Sequence, residues 1–175
     1  MSFTVRAKFF VAAVNTTCYS NQAGDNPPTF AEVVLNPVYS PNPDTENHKF
    51  WCSSPSGKMV LNMSGEEAQA YPVGSFWYID ENIIEDQPDF GYGQVGMNAR
   101  VKWIGEQSDP KSVYTLTRCD GSYGSYINVR LEMNFGQDRG YIEIGINNEA
   151  VFPAYWNKVG SVYSLKMTRT TKEGS

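Results

Sequence analysis

The stretch YINVRLEMNFG, from Tyr126 to Gly136, sets Val129, Leu131, Met133 and Phe135 in alternation with Asn128, Arg130, Glu132 and Asn134. In an extended chain successive side chains point to opposite faces, so a period of two gives one apolar face and one polar face. That is the signature of a half-buried β-strand. Just beyond it, Ile142, Ile144 and Ile146 alternate with Glu143, Gly145 and Asn147, and FGQDRG punctuates the gap between the two runs. Towards the N-terminus the pattern is blurrier but of the same kind: Val5, Ala7, Phe9 and Val11 are expected inward, with Arg6 and Lys8 outward.

The chain reads as the same text twice, with four blocks in the same order. TVRAKFF from Thr4 aligns with NARVKWI from Asn98, which places Phe9 against Trp103. FAEVVLNPVYS from Phe30 aligns with YINVRLEMNFG, and GKMVLNMSGEEA from Gly57 aligns with GYIEIGINNEAV from Gly140. Val73-Gly74-Ser75 aligns with Val159-Gly160-Ser161, each ahead of an aromatic-rich strand. Helical signal is slight. Ser64-Gly65-Glu66-Glu67 has the form of a capping box, and Pro72 stops whatever it starts. About five short strands per copy, with no crossover helix to join parallel neighbours, predict antiparallel pairing. The expectation is an all-β chain of two tandem small antiparallel β-barrel or β-sandwich modules from an internal duplication. Residues 1–80 form the first module, 81–96 a linker or exchanged arm, and 97–175 the second.

The copies differ after the second block. There the first inserts the Pro- and Asn-rich loop 41–56, where the second has only Gln137-Asp138-Arg139. Long loops in compact domains are commonly functional. Residues 1–85 hold 4 basic and 9 acidic groups, whereas 86–175 hold 10 of each, so the halves are expected to face different neighbours.

Composition narrows the function. Among 175 residues, 19% are charged and 14% aromatic, which suits a folded chain and argues against disorder. A net charge of -5 gives no general attraction for phosphate backbones or anionic membranes. No run approaches the roughly 18 to 20 apolar residues of a membrane span, and the alternation near the start reads as a strand rather than a signal peptide. Cys18, Cys52 and Cys119 are an odd number without a C-x-x-C pair, and they read as reduced thiols of a protein made inside the cell. The sequons at Asn15 and Asn62 carry no weight without secretion.

No catalytic signature is found. His48 is the only histidine; its place beside Lys49 and four residues from Cys52 in a polar loop fits a solvated or packing role far better than a nucleophile pair or half a zinc site. Glu66-Glu67 and Glu85-Asp86 read as solvated turn carboxylates. No phosphate loop, nucleophile elbow or zinc-protease helix occurs. An enzyme is therefore not expected, nor a metal or cofactor. Arg6, Lys8, Arg100 and Lys102 give a foothold for single-stranded nucleic acid, although alternation puts Phe9 and Trp103 on the opposite face from the basic side chains. Aromatics on polar loops are the remaining candidates for interface anchors: Phe50 and Trp51 in the insert, Phe90 and Tyr92 in the linker, Tyr123 and Tyr126 near DGSYGS.

The strings RAKFFV, PVYSPNPDTENHKFWCSSPSGKMVLNM and PVGSFWYID resemble a family of short β-rich proteins encoded by tailed bacteriophages. Its members carry a basic opening strand, an E-N-x-x-F/W loop followed by P-S-G, and a closing G-x-x-[FWY]-Y-[ILV]-D strand. The resemblance falls on Arg6, Lys8, Glu46, Asn47, Phe50, Pro55, Ser56, Gly57, Gly74, Tyr78 and Asp80, within residues 1 to about 80. The second half lacks the E-N-x-x-F loop and is linked only through the repeat. What the resemblance implies is phage origin and a virion component. The expectation is thus a non-enzymatic structural protein, capsid-associated or decorating, made in the host cytoplasm and bound to the shell as a homo-oligomer. In it the loop Glu46 to Gly57 would touch a neighbouring subunit. The alternative is a small β-barrel protein acting in the infected host on single-stranded nucleic acid or a defence factor.

Overall fold

Alternation is kept almost throughout the computed structural model, which describes residues 4–18, 29–51, 55–83, 94–106, 109–110, 114–117, 123–133, 139–156 and 158–172. The strands are β1 (Thr4–Cys18), β2 (Thr29–Pro37), β3 (Ser56–Ser64), β4 (Phe76–Ile83), β5 (Gln94–Glu106), β6 (Asp109–Pro110), β7 (Tyr114–Thr117), β8 (Tyr123–Met133), β9 (Gly140–Ile146) and β10 (Val162–Thr170). One short helix, α1 (Glu46–Trp51), and two 3-10 turns, Glu67–Ala70 and Phe152–Ala154, complete the described elements. The fold is all-β.

The strands run β6-β5-β10-β4-β1-β2-β3-β9-β8-β7, and β5 also pairs with β8, so the sheet closes on itself as an antiparallel barrel with β6 and β7 as appendages. Closure removes the open edges that two small sheets would leave to solvent. The expected division into two tandem modules is not confirmed: the described strands form one barrel to which both halves contribute. Within it the halves have one strand order, β4-β1-β2-β3 and β10-β5-β8-β9, the order of a Greek key. Leu35 lies opposite Val11 and Met59, as Leu131 lies opposite Val101 and Ile142. A bulge falls between Val11 and Ala13 and again between Val101 and Trp103. Ser75 closes a turn onto Pro72 as Ser161 does onto Lys158.

One alignment shifts. Phe9 is opposite Trp77 and Ala99 is opposite Tyr163, so the counterpart of Phe9 is Ala99 rather than Trp103. The expected linker also shrinks, because β4 runs to Ile83 and β5 begins at Gln94. Whether the intervening stretch is a linker or an exchanged arm lies outside the described residues.

Inward rows from every barrel strand fill the interior, among them Val11, Val33, Leu35, Met59, Leu61, Ile79, Val129, Leu131, Ile142, Ile144, Leu165 and Met167, all buried. At roughly 25 cal/mol per Å² of apolar surface this packing is the main stabilising term. The two halves meet along β3–β9 and β4–β10. At the first seam Gly57 and Gly140 have φ of +124° and +118°, and each lies against the other strand's backbone. The capping box forms as expected: the Glu67 N–H donates to Ser64 Oγ, and the Ser64 N–H donates to the Glu67 carboxylate.

Candidate functional site

Six of the residues that carry the family resemblance converge outside β1 and β4. Arg6 donates to Asp80 from Nε at 2.6 Å and from Nη2 at 2.9 Å, a bidentate pair. The Tyr78 ring lies 4.9 Å from the Arg6 guanidinium and 5.0 Å from Lys8 Nζ, within cation-π range of both. Asp80's hydrogen bond, with smaller help from the Glu46 charge, raises the Arg6 pKa above its ordinary value. Asn47 is buried and plugs the barrel wall. The β1–β2 ladder ends at Phe9–Pro37, the Val38 N–H still donates to the Lys8 carbonyl, and the Asn47 side chain adds to this edge, accepting from the Lys8 N–H and donating to the carbonyls of Lys8 and Val38. An amide side chain thus satisfies backbone groups where the regular ladder ends.

This arrangement corrects several expectations. Lys8 lies on the outer face yet is only 2% exposed, and its ammonium donates to the Thr171 carbonyl. Phe50 and Trp51 are not presented to a partner: they are 3% and 0% exposed, and Trp51 packs edge-on against Phe9. Their loop folds back because an exposed aromatic pair beside an open barrel end would leave both apolar surfaces wet. Glu46 is half-buried. Tyr123 and Tyr126 belong to strand β8, opposite Thr117 and Tyr114, rather than to a loop. Phe90, Tyr92, Cys52, Cys119, Glu85 and Asp86 lie outside the described residues.

The second half's basic residues do not repeat the first's. By register Arg100 corresponds to Phe10, lying opposite Val162 and Glu132, and Lys102 sits at the bulge and pairs with Glu132 at 2.8 Å. Beyond it, Arg130 bonds Glu143 at 2.9 Å and lies 3.9 Å from the Tyr141 ring, with Lys58 on the same ring at 5.5 Å. These exposed pairs contribute about 0 to 1 kcal/mol each. They make a mixed-charge surface, which repels neither sign strongly.

One polar group was missed. Glu81 follows Trp77 and Ile79 in the inward row of β4 and is 6% exposed. The Tyr155 hydroxyl donates to its carboxylate inside the barrel. Burial pushes Glu81 up to about 7 against the lowering effect of that hydrogen bond, and the Asp80 charge adds to the rise. The signal was available in the sequence, since period two from Trp77 already aims Glu81 inward.

Among the described residues no cluster of three His, Cys, Asp or Glu could hold a metal, and no helix is long and apolar enough to cross a membrane. In comparisons with known proteins, no family model matches the chain and no curated protein is detectably similar to it.

Proposed function

We propose that the protein is a non-enzymatic structural component of a bacteriophage virion, capsid-associated or decorating, bound to the shell as a homo-oligomer. The observation that carries this reading is the filled barrel. Its interior is packed with buried aliphatic and aromatic side chains, so recognition falls to the outer face and the loops. Small-molecule sites are concave and retain space for a ligand; a packed barrel suits a rigid building block. The Arg6–Asp80–Tyr78 cluster fits the same role. Its donors are engaged within the chain, which stiffens the wall and leaves no poised nucleophile or base.

We also propose that the two halves descend from one duplicated unit. The shared strand order, the recurring bulge and the matched positions of Leu35 and Leu131 support it. No observation favours the alternative of single-stranded nucleic acid, because Lys8 is buried, Arg6 is held by Asp80 and Lys102 by Glu132.

Mass spectrometry of purified particles tests the proposal. A structural component is expected in a fixed copy number that survives washing in high salt. Its absence from particles, with the protein abundant in the infected cell, would overturn the reading.

A further inference from the structure

Across the described barrel interior Glu81 is the one carboxylate. In register it lies between Val5 on β1 and Leu165 on β10, neither of which offers a polar group. Its hydrogen bond comes from the Tyr155 hydroxyl, on the connection between β9 and β10 that crosses this end of the barrel. The same connection is tied down by the Tyr163 hydroxyl, which donates to the Ala154 carbonyl, and by the Asn148 amide, which donates to the Lys49 carbonyl on α1. The Tyr155 ring stacks on Tyr163 at 6.0 Å.

A neutral carboxyl is tolerable in such surroundings. An ionised one keeps the Tyr155 hydroxyl, whose bond favours the charged form, but that single donor does not offset the burial unless water or a cation also reaches it. The titratable groups that bear on Glu81 are Tyr155, Tyr163 and, next along β4 on the outer side, Asp80. None of them is a cation. Both tyrosines are pushed well above their ordinary value by burial, so they remain neutral hydroxyls when Glu81 loses its proton. Asp80 is bonded to Arg6 and contributes only repulsion. The least disruptive relief is to lift the segment that carries Tyr155, since the other walls are continuous strands.

We propose that the Glu81–Tyr155 contact is a proton-operated latch. With the carboxyl neutral, the described part of the connection that carries Tyr155, residues 147–156, is closed over the barrel end; with it ionised, that part opens and admits water. A carboxyl near its ordinary 4.5 when open and near 7 when closed makes opening about 30-fold more frequent at pH 8.5 than at pH 5.5.

The test is hydrogen exchange of the full chain read by mass spectrometry at those two pH values, with exchange times scaled for intrinsic rates. Peptides spanning 147–156 are expected to lose protection at the higher pH, while those from β2 and β3 keep theirs. Glu81→Gln retains an acceptor for Tyr155 and cannot ionise, so its segment should show no such difference. Equal protection at both pH values in the native chain, or a difference that persists in Glu81→Gln, overturns the latch. Should that variant not fold, the native chain decides the matter. The infrared band of the buried, protonated carboxyl must vanish over the same pH interval in which the segment opens, and either change without the other refutes the proposal.

Discussion

Replacing Gly140 by alanine is the sharpest test of how the two halves meet, because two costs can be separated. The first is conformational: Gly140 has φ of +118°, and an L side chain there costs about 1 kcal/mol. The second is steric. A Cβ at Gly140 would stand 1.9 Å from the Val60 carbonyl oxygen and 2.8 Å from its carbon, both backbone atoms of β3. Backbone cannot rotate away as a side chain can, so β3 and β9 must part locally at the pairs Leu61–Gly140 and Val60–Tyr141. Losing one or two ladder bonds at about 1 kcal/mol each, with some loosening of the core behind them, brings the total to about 3 kcal/mol. Gly74→Ala is the control, since Gly74 has φ of +84° but nothing within 4 Å of its would-be Cβ. It carries the conformational cost alone, about 1 kcal/mol. Urea unfolding followed by tryptophan fluorescence, extrapolated linearly, measures both. The expected gap is about 2 kcal/mol, or roughly 4 to 8 °C in melting temperature for a chain of this size. Equal losses in the two variants would mean that β3 and β9 do not approach as closely as described.

Asn47→Ala should cost about 2 to 3 kcal/mol, because it removes the Asn47 bonds to the Lys8 N–H and the Val38 carbonyl at a buried site, while the Lys8 carbonyl keeps the Val38 N–H; a loss near zero in the same unfolding assay would show that the amide is no plug. Trp51→Ala should cost about 3 to 5 kcal/mol as a core truncation. An interface anchor would leave stability unchanged and weaken only attachment to particles, so the denaturation midpoint separates the roles. Stability should also fall as pH rises. Folding raises the Glu81 carboxyl from 4.5 to about 7, so the folded chain binds that proton more tightly than the unfolded chain. The contribution is complete below 4.5, declines through the interval to about 7 and is then gone, a change of about 3 kcal/mol. Urea midpoints between pH 5 and 8, steeper in the native chain than in Glu81→Gln, would bear this out; parallel slopes would not.

The strands were legible because burial on one face imposes a period that composition cannot hide, as in Val129, Leu131 and Met133. The capping box at Ser64 was legible for a similar reason, being a local exchange between residues close in sequence. Closure was not. The contacts that join β3 to β9 and β4 to β10 link residues far apart in the chain, and nothing local marks which edge a strand will find. The slipped alignment of β1 with β5 has a definite cause: Arg6, Lys8, Arg100 and Lys102 match by type on the outer face, whereas the buried row carries the packing constraint. Matching Ala7 and Phe9 by their burial would have led to Ala99. The burial of Phe50 and Trp51 is not legible in the sequence, because a Pro-rich insert has no period from which inward and outward can be told.

The proposed duplication gives the seams a further meaning. At β3–β9 the residue pair Met59–Ile142 joins corresponding positions of the two halves, and at β4–β10 the pair Asp80–Lys166 does the same. These pairs lie where an approximate two-fold axis crosses the barrel. A unit pairing with its own copy would set Met59 against Met59, which a flexible apolar side chain tolerates. It would also set Asp80 against Asp80, or Lys166 against Lys166, and like charges directly opposite on neighbouring strands are destabilising. On the proposed duplication, an unlike pair at this position favours the unlike half as partner over assembly from two like halves. The choice is reinforced from the outside, because Arg6, opposite Asp80 on β1, holds the carboxylate in its bidentate pair, so a positive, a negative and a positive residue follow one another across three strands. On that proposal, charge at the axis bears on which halves pair, and the apolar rows on either side supply the stability.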